Sequence, residues 1–142
     1  MNNKVVVIVG ATGGIGSAVA QKLANSGANL VLAARDNNRL DALATQLSTT
    51  EIITVPTNIT NSQEVEILME KASQYFGKID ILVNAAGAGI LKQWNKIEPA
   101  DLDVMLDLNL KGSFYTCQAA ANIMKGQKLS LIHISEPTRP SQ

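Results

Sequence analysis

The residues that most clearly suggest chemistry form a glycine-rich turn close to the amino terminus. The turn contains Gly10, Thr12, Gly13, Gly14, Ile15 and Gly16. Glycines let the backbone turn tightly and bring its amide groups close to a diphosphate, which the positive end of a following helix also attracts. A glycine run alone also occurs in plain turns, but this one lies between an apolar, strand-like run and a segment with helical apolar spacing. That position favours nucleotide binding.

The end of the second predicted strand, residues 29–34, indicates which nucleotide this turn would bind. An acidic residue at the strand tip would hold a ribose 2′-hydroxyl and repel a 2′-phosphate. Here Ala34 occupies the tip and Arg35 follows it, and a guanidinium suits a phosphate by charge and by bidentate geometry. The sequence therefore predicts NADP as the cofactor in preference to NAD, although the phosphate loop offers no second cation. The alternative is that Arg35 is a solvated turn residue and that the neighbouring Asp36 serves NAD.

Strand and helix patterns alternate along the chain with short spacers. Continuous β-branched runs predict buried strands, and apolar residues three and four apart predict helices. The predicted strands cover residues 4–9, 29–34, 52–56 and 79–83, and the predicted helices cover residues 17–26, 38–47, 62–76, 99–108 and 110–124. Ser62 is the predicted N-cap of the third helix, and Gly77 ends that helix. The alternation predicts an α/β fold with a doubly wound, Rossmann-like parallel sheet.

The composition excludes several other classes of protein. The 142 residues suit one domain, and 46% hydrophobic with 17% charged residues is typical of a soluble globular chain. Twelve basic and twelve acidic side chains cancel, so we expect no nucleic acid and no membrane as a partner. The single cysteine, Cys117, excludes an internal disulfide and a CxxC metal site, and no metal is expected. The amino-terminal apolar run is too short for a signal peptide or a membrane span, which predicts a cytoplasmic protein.

Three further motifs follow the predicted strands or lie in the last helical region. They are, in order, Asn58-Ile59, Asn84-Ala85-Ala86-Gly87 and Asn109. Together with the glycine turn, these motifs resemble in content and order those of the classical short-chain dehydrogenase/reductase family. Val9 stands where the family has a threonine before the glycine turn, Asn58 replaces an aspartate, and Ala85 replaces the second asparagine. The resemblance extends from residue 4 to about residue 128.

The resemblance implies a cofactor contact for the two strand-end motifs. Asn58 and Ile59 would contact the adenine edge. The alternative for Asn58 is a role as a turn residue, since asparagine is common in turns. The small residues Ala85 and Gly87 would let the cofactor ribose lie against the backbone, and Asn84 would pin the neighbouring strand.

The resemblance also implies the reaction, which is hydride transfer between nicotinamide and a small-molecule carbonyl or alcohol substrate. Asn109 is the candidate catalytic residue, since it would bend its helix and hold a water of the proton relay, whereas an isolated mid-helix asparagine is more often merely tolerated. The family's proton donor is a tyrosine with a lysine four residues later, and neither Tyr75 nor Tyr115 has a lysine at that spacing. We therefore expect this chain to be inactive, and we expect the full-length parent to be a homo-oligomeric enzyme. The alternative is a non-catalytic module that binds a nucleotide and regulates a partner.

The last residues predict a different origin. Residues 129–139 resemble the translation of a transposon-end sequencing adapter. This divides the chain into an incomplete NAD(P)-binding Rossmann-like domain, residues 1–128, and a non-native tail, residues 129–142, in which His133 and Ser135 carry no function. The sheet would then end after about four strands, with residues 79–83 as an exposed edge or paired only with residues 129–134. The competing interpretation is a genuine fifth strand, with Ser135 near the position of a catalytic serine.

Overall fold

Buried β-branched runs and amphipathic segments alternate in the folded chain, as the sequence predicts. The computed structural model describes residues 1–47, 50–127 and 131–135. The strands are β1 (Val5–Val9), β2 (Asn29–Ala34), β3 (Ile52–Pro56), β4 (Ile81–Asn84) and β5 (Leu131–Ile134). The helices are α1 (Gly14–Asn25), α2 (Asn37–Gln46), α3 (Ser62–Phe76), α4 (Pro99–Met105) and α5 (Gly112–Met124). A π-helical segment, Leu106–Lys111, joins α4 to α5, and a 3₁₀ turn, Trp94–Lys96, precedes α4.

All the described strands belong to one parallel sheet with the order β3-β2-β1-β4-β5. This confirms the doubly wound parallel fold. The central strand is β1, in which Val7 aligns with Val31 of β2 and with Leu82 of β4. All residues of β1 are buried, as expected for a strand covered on both faces. Because β2 and β4 lie on opposite sides of β1, the strand order reverses there, and a crevice opens at the carboxyl ends of these strands.

Alternate residues of β1 face two separate hydrophobic cores. Val7 and Val9 belong to the core that includes residues of α3 and α5. Val6 and Ile8 belong to the core that includes residues of α1 and α2. Successive side chains of a strand point to opposite faces, so β1 is held by packing on both sides. The loops at its carboxyl end therefore start from a rigid support.

The amino terminus of α3 differs from the prediction by one residue. The N-cap is Asn61, whose Oδ1 accepts hydrogen bonds from the amides of Gln63 at 3.0 Å and Glu64 at 3.2 Å. The predicted N-cap, Ser62, is instead the first helical residue, so this prediction is wrong. The reason is that Asn61 satisfies two of the amides that the first helical turn leaves free. The carboxyl end is as predicted, with Gly77 in the left-handed region at a φ of 80°.

The predicted interruption between the last two helical stretches is a π-helical segment of six residues, Leu106–Lys111. Sequence spacing predicted a break of one residue, between residues 99–108 and 110–124. A π-helical segment widens the backbone and often occurs at functional positions. Asn109 lies inside this segment, so the helix departs from α geometry where the motif predicts a bend.

Among the described residues the sheet has five strands, one more than the predicted number of about four, and the additional strand is the segment that the sequence offered as a partner for the β4 edge. β5 pairs in parallel with β4, and Ile132 aligns with Leu82 and Ile134 with Asn84. Of the two expectations for the β4 edge, pairing with this segment is the one that the structure has. The β-branched residues of β5 and the free hydrogen-bonding groups of β4 explain this pairing. The origin of the segment and the domain division at residue 128 stay predictions.

Other kinds of site find little support in the described residues. Within residues 1–47, 50–127 and 131–135, no helix is both long and apolar enough to cross a membrane. The same residues hold no group of three or more His, Cys, Asp or Glu side chains that could bind a metal ion. Cys117 is free and partly buried, and burial raises the pKa of its thiol. A raised pKa disfavours the reactive thiolate.

Candidate functional site

A cleft of about 850 Å³ opens at the carboxyl edge of the sheet. The predicted cofactor residues that line it are Gly10, Thr12, Gly13, Arg35, Asn58, Ile59, Ala85 and Gly87. The predicted residues Gly14, Ile15, Gly16, Asn84 and Asn109 are not part of this lining. Further lining residues that the motifs did not indicate are Arg39, Thr57, Thr60, Val104, Asp107 and Leu108. The structure thus brings predicted residues from the ends of four strands together around one cavity, and it places the helix asparagine outside the lining of that cavity.

The glycine turn is held to the strands on both sides of β1. The amides of Gly10 and Ala11 donate to the carbonyl oxygen of Ala33 in β2, at 2.9 and 3.1 Å. Gly10 has a φ of 74°, and a Cβ there would lie 2.5 Å from the amide nitrogen of Ala86. Only glycine combines this backbone conformation with so close an approach. The turn therefore packs directly on the segment after β4.

The amino terminus of α1 presents backbone amides that the helix itself does not use. Its N-cap is Gly13, which has no side chain to accept a hydrogen bond. The first amide with an acceptor in this helix is that of Ser17, which donates to the carbonyl of Gly13 at 2.9 Å. The amides of Gly14, Ile15 and Gly16 precede it, in the helical turn that lacks internal acceptors. Such amides, together with the helix dipole, suit an anionic phosphate.

Two arginines lie at the end of β2, where the sequence indicated one. Arg35 follows β2, is exposed and lines the cleft. Arg39, in the first turn of α2, also lines the cleft, and its Nη2 donates to the carbonyl oxygen of Thr12 at 2.8 Å. The phosphate loop itself contains no cation, as stated from the sequence, and α2 brings one to it from outside the loop. The signal in the sequence was the spacing of four residues between the two arginines. Because α2 begins at Asn37, between them, both arginines line the same cleft.

The carboxylate beside Arg35 is already engaged. Asp36 is the N-cap of α2, and its Oδ1 accepts a hydrogen bond from the amide of Arg39 at 3.1 Å. Within the described part of the chain, each ion pair joins a lysine to an aspartate, and neither Arg35 nor Arg39 takes part in one. The end of β2 therefore carries two guanidinium groups without a carboxylate partner. This distribution of charge favours an anion over a neutral ribose hydroxyl.

Asn58 adopts the turn geometry that was the alternative to an adenine contact. Its Oδ1 accepts from the amide and the hydroxyl of Thr60, at 3.1 and 2.8 Å. Its backbone amide donates to a carboxylate oxygen of Glu64 at 2.7 Å. Asn58 still lines the cleft, but its side-chain oxygen is used within the turn. Ile59 is buried and also lines the cleft, so it presents an apolar surface there.

Asn84 connects β4 to α5 from a fully buried position. Its Nδ2 donates to the hydroxyl oxygens of Ser113 at 3.0 Å and Thr116 at 3.4 Å, and its Oδ1 accepts from the amide of Ala86 at 3.2 Å. The contact with the neighbouring strand is made by its backbone, whose carbonyl accepts from the amide and hydroxyl of Ser135 at 3.0 and 3.2 Å. The side chain therefore fixes the loop after β4 against the helix.

Asn109 holds the same loop one step further along. Its Oδ1 accepts from the amide of Ala88 at 2.9 Å, and its Nδ2 donates to the carbonyl of Ala88 at 2.7 Å. Its own carbonyl accepts from the hydroxyl of Ser113 at 2.7 Å, and this hydroxyl also receives the Asn84 amide. The two asparagines and Ser113 thus form one hydrogen-bonded connection between the π-helical segment and the floor of the cleft.

The sequence identifies the family to which this fold and cleft belong. Residues 4–135 match the profile described as short chain dehydrogenase. The chain therefore belongs to the short-chain dehydrogenase family, which confirms the resemblance drawn from its motifs. The matched range extends into the residues predicted to be a tail.

Curated relatives include oxidoreductases of two staphylococci. The chain is 40% identical over 127 residues to an uncharacterised oxidoreductase of Staphylococcus aureus strain N315, and the match covers 89% of this chain and 55% of the relative. It is 38% identical over 130 residues to an uncharacterised oxidoreductase of Staphylococcus saprophyticus, covering 89% of this chain and 56% of the relative. The chain thus spans about half the length of the curated relatives that it matches.

Two solved structures of similar fold contain a nicotinamide dinucleotide, which is an NADP derivative in one and NAD⁺ in the other. An alcohol dehydrogenase from the archaeon Thermococcus sibiricus, complexed with 5-hydroxy-NADP, superposes with a TM-score of 0.86 at 32% identity, over 92% of this chain and 57% of the other. An NAD⁺-bound xylitol dehydrogenase superposes with a TM-score of 0.90 at 27% identity, over 94% of this chain and 52% of the other. Proteins of this fold thus include one complexed with an NADP derivative and one complexed with NAD⁺.

Proposed function

We propose that the protein is an NADP-preferring oxidoreductase that transfers hydride between nicotinamide and a carbonyl or alcohol substrate. The observation that carries the cofactor preference is the pair of unneutralised arginines at the end of β2, next to a strand tip occupied by Ala34. The family membership supports the oxidoreductase class. The free amides at the start of α1 and the 850 Å³ cleft fit a dinucleotide.

Each part of the cleft suits one part of the cofactor. The amides of Gly14, Ile15 and Gly16, which follow the lining residue Gly13, would hold the diphosphate at the positive end of α1. Arg35 would hold the 2′-phosphate by charge-assisted hydrogen bonds. Ile59 would provide an apolar contact for the adenine. When bound, the nicotinamide supplies the hydride or accepts it.

The loop after β4 would form the surface on which the ribose lies. Ala85 and Gly87 line the cleft with small side chains or none, and Asn84 and Asn109 hold this loop from behind. Asn109 would hold a water of the proton relay next to this loop. The chain contains no tyrosine followed by a lysine at the fourth position, so we expect the 142 residues to bind cofactor without catalysing turnover.

The cofactor preference is tested by replacing Arg35. The Arg35→Ala variant should bind NADPH roughly 10- to 100-fold more weakly, as expected for the loss of a hydrogen bond between charged groups, while its affinity for NADH should change little. Titration calorimetry of the 142-residue chain measures both affinities, and Lys22→Ala, an exposed cation in the last turn of α1, is the matched control. Equal affinities for NADH and NADPH in the unchanged chain would overturn the preference.

The catalytic assignment is tested by turnover. A panel of aldehydes and ketones with NADPH should show no oxidation of the cofactor at 340 nm with the 142-residue chain. Turnover that copurifies with the chain would contradict the requirement for a Tyr-x-x-x-Lys pair. The second candidate, a nucleotide-sensing module, would be favoured by a full-length protein that binds NADPH and also contains no such pair.

A further inference from the structure

Arg39 joins α2 to the glycine turn, and neither the motifs nor the family comparison assigns it a role. Its guanidinium reaches out of the first turn of α2, and Nη2 lies 2.8 Å from the carbonyl oxygen of Thr12. Its backbone amide is fixed separately by the N-cap carboxylate of Asp36, at 3.1 Å. Arg39 is exposed and lines the cleft together with Arg35. The side chain is thus anchored at one nitrogen, next to the exit of β2.

The acceptor of Arg39 leaves its charge unneutralised. A guanidinium carries five N–H donors, and the carbonyl of Thr12 is a neutral acceptor for one of them. The one acidic residue of α2, Asp41, accepts hydrogen bonds from the side-chain amide of Asn37 and from the hydroxyl of Thr54, both at 3.3 Å. Within the described residues, Arg39 takes part in no ion pair. A side chain in this state has both charge and donors available for a ligand in the cleft.

We propose that Arg39 is a second cation of the 2′-phosphate site and that its contact with Thr12 holds the guanidinium in position for that phosphate. This inference rests on the proposed NADP preference. A phosphate monoester carries up to two negative charges near neutral pH, which Arg35 and Arg39 together would balance. Because Thr12 belongs to the glycine turn, the same arginine also links the 2′-phosphate site to the diphosphate site. Arg39 is therefore a specificity-determining residue as well as a tether for the turn.

The two roles of Arg39 are separated by two variants and two nucleotides. Arg39→Gln keeps an amide that can donate to Thr12 but removes the charge, and Arg39→Ala removes both. Titration calorimetry of the 142-residue chain with 2′,5′-ADP (adenosine 2′,5′-bisphosphate) and with 5′-AMP measures the contribution of the 2′-phosphate alone. Both variants should weaken binding of 2′,5′-ADP roughly 10- to 100-fold. Arg39→Gln should bind 5′-AMP as the unchanged chain does, and circular dichroism checks that both variants remain folded.

The outcomes distinguish this inference from the proposed function. If the unchanged chain prefers 2′,5′-ADP and Arg35→Ala removes the preference, but both Arg39 variants retain it, Arg39 is a tether only and the inference fails alone. Equal loss of both nucleotides in Arg39→Ala, with Arg39→Gln unaffected, leads to the same conclusion. If the unchanged chain binds the two nucleotides equally or binds neither, the NADP preference fails and the inference fails with it.

Discussion

Alanine at Gly16 should destabilise the protein, whereas alanine at Gly14, two positions earlier in the same helix, should not. A Cβ at Gly16 would overlap the carbonyl oxygen of Gly10 and would lie 2.8 Å from its carbonyl carbon and 3.0 Å from the Cα of Ala11. These atoms cannot move freely, because the amides of Gly10 and Ala11 both donate to the carbonyl of Ala33. A Cβ at Gly14 would meet no atom within 4 Å. The two glycines thus differ in packing alone.

The two substitutions should change the free energy of unfolding in opposite directions. Forcing a methyl group into a filled site costs about 1–3 kcal/mol, and alanine in place of glycine recovers about 0.4–1 kcal/mol by restricting the unfolded chain. Gly16→Ala should therefore lower the free energy of unfolding by about 1–2 kcal/mol, while Gly14→Ala should raise it by up to about 1 kcal/mol. In urea denaturation followed by circular dichroism, the two midpoints should differ by about 1 M. A Gly16→Ala midpoint equal to or above that of Gly14→Ala would refute the packing argument.

Two further changes test the supports of the sheet and of the cleft. Burial by itself would raise the pKa of the Asp80 carboxyl, but hydrogen bonds from Lys78 and from the Val5 amide hold the pKa below its ordinary value of 3.8. The stability that this carboxylate supplies is present above about pH 4 and is lost as the pH falls through the folded-state pKa. Asp80→Asn should therefore make the stability measured by circular dichroism less dependent on pH in the acid range. An unaltered acid unfolding curve would contradict this. Asn109→Ala removes both hydrogen bonds to Ala88; it should lower the free energy of unfolding by about 1–2 kcal/mol and accelerate hydrogen exchange at the Ala88 amide, and unchanged exchange there would contradict the support role.

The sheet was predictable because its local and long-range requirements agree. Runs such as Val5–Val9 are β-branched throughout and favour strands intrinsically, and burial on both faces then requires helices on both sides. Alternation of these runs with amphipathic helices leaves the parallel, doubly wound arrangement as the accessible topology. The pairing of β1 with both β2 and β4 is a long-range choice that residue patterns alone do not determine.

Predictions that depended on distances between separate elements were less successful. Arg39 was not singled out, since its contact with Thr12 joins residues 27 positions apart and requires the start of α2 to be placed correctly. Asn58 lines the cleft and also has the turn role that was its alternative, because its oxygen accepts hydrogen bonds from Thr60. Such local hydrogen bonds are characteristic of asparagine side chains. Its contact with adenine stays a prediction.

The fifth strand shows that strand pairing depends on the residues present and on an available edge. Residues 131–134 contain two isoleucines and a leucine, and β4 would otherwise expose a row of unpaired backbone groups. Those two conditions are sufficient for the parallel pairing observed, whichever origin the segment has. The pairing was one of the two outcomes expected for residues 79–83, and it says nothing about where residues 131–134 come from.

The two asparagines Asn84 and Asn109 contribute to the shape of the cleft and not to its lining. Asn84 and Asn109 lie behind the lining and hold the loop after β4 at two successive points, Ala86 and Ala88. Gly10 packs against the same loop from the opposite side, where a Cβ would not fit. The loop is therefore fixed between the glycine turn and the π-helical segment before any ligand arrives. A preformed surface of this kind reduces the ordering cost of binding, which is consistent with the proposal that the cofactor ribose lies against the small residues of this loop.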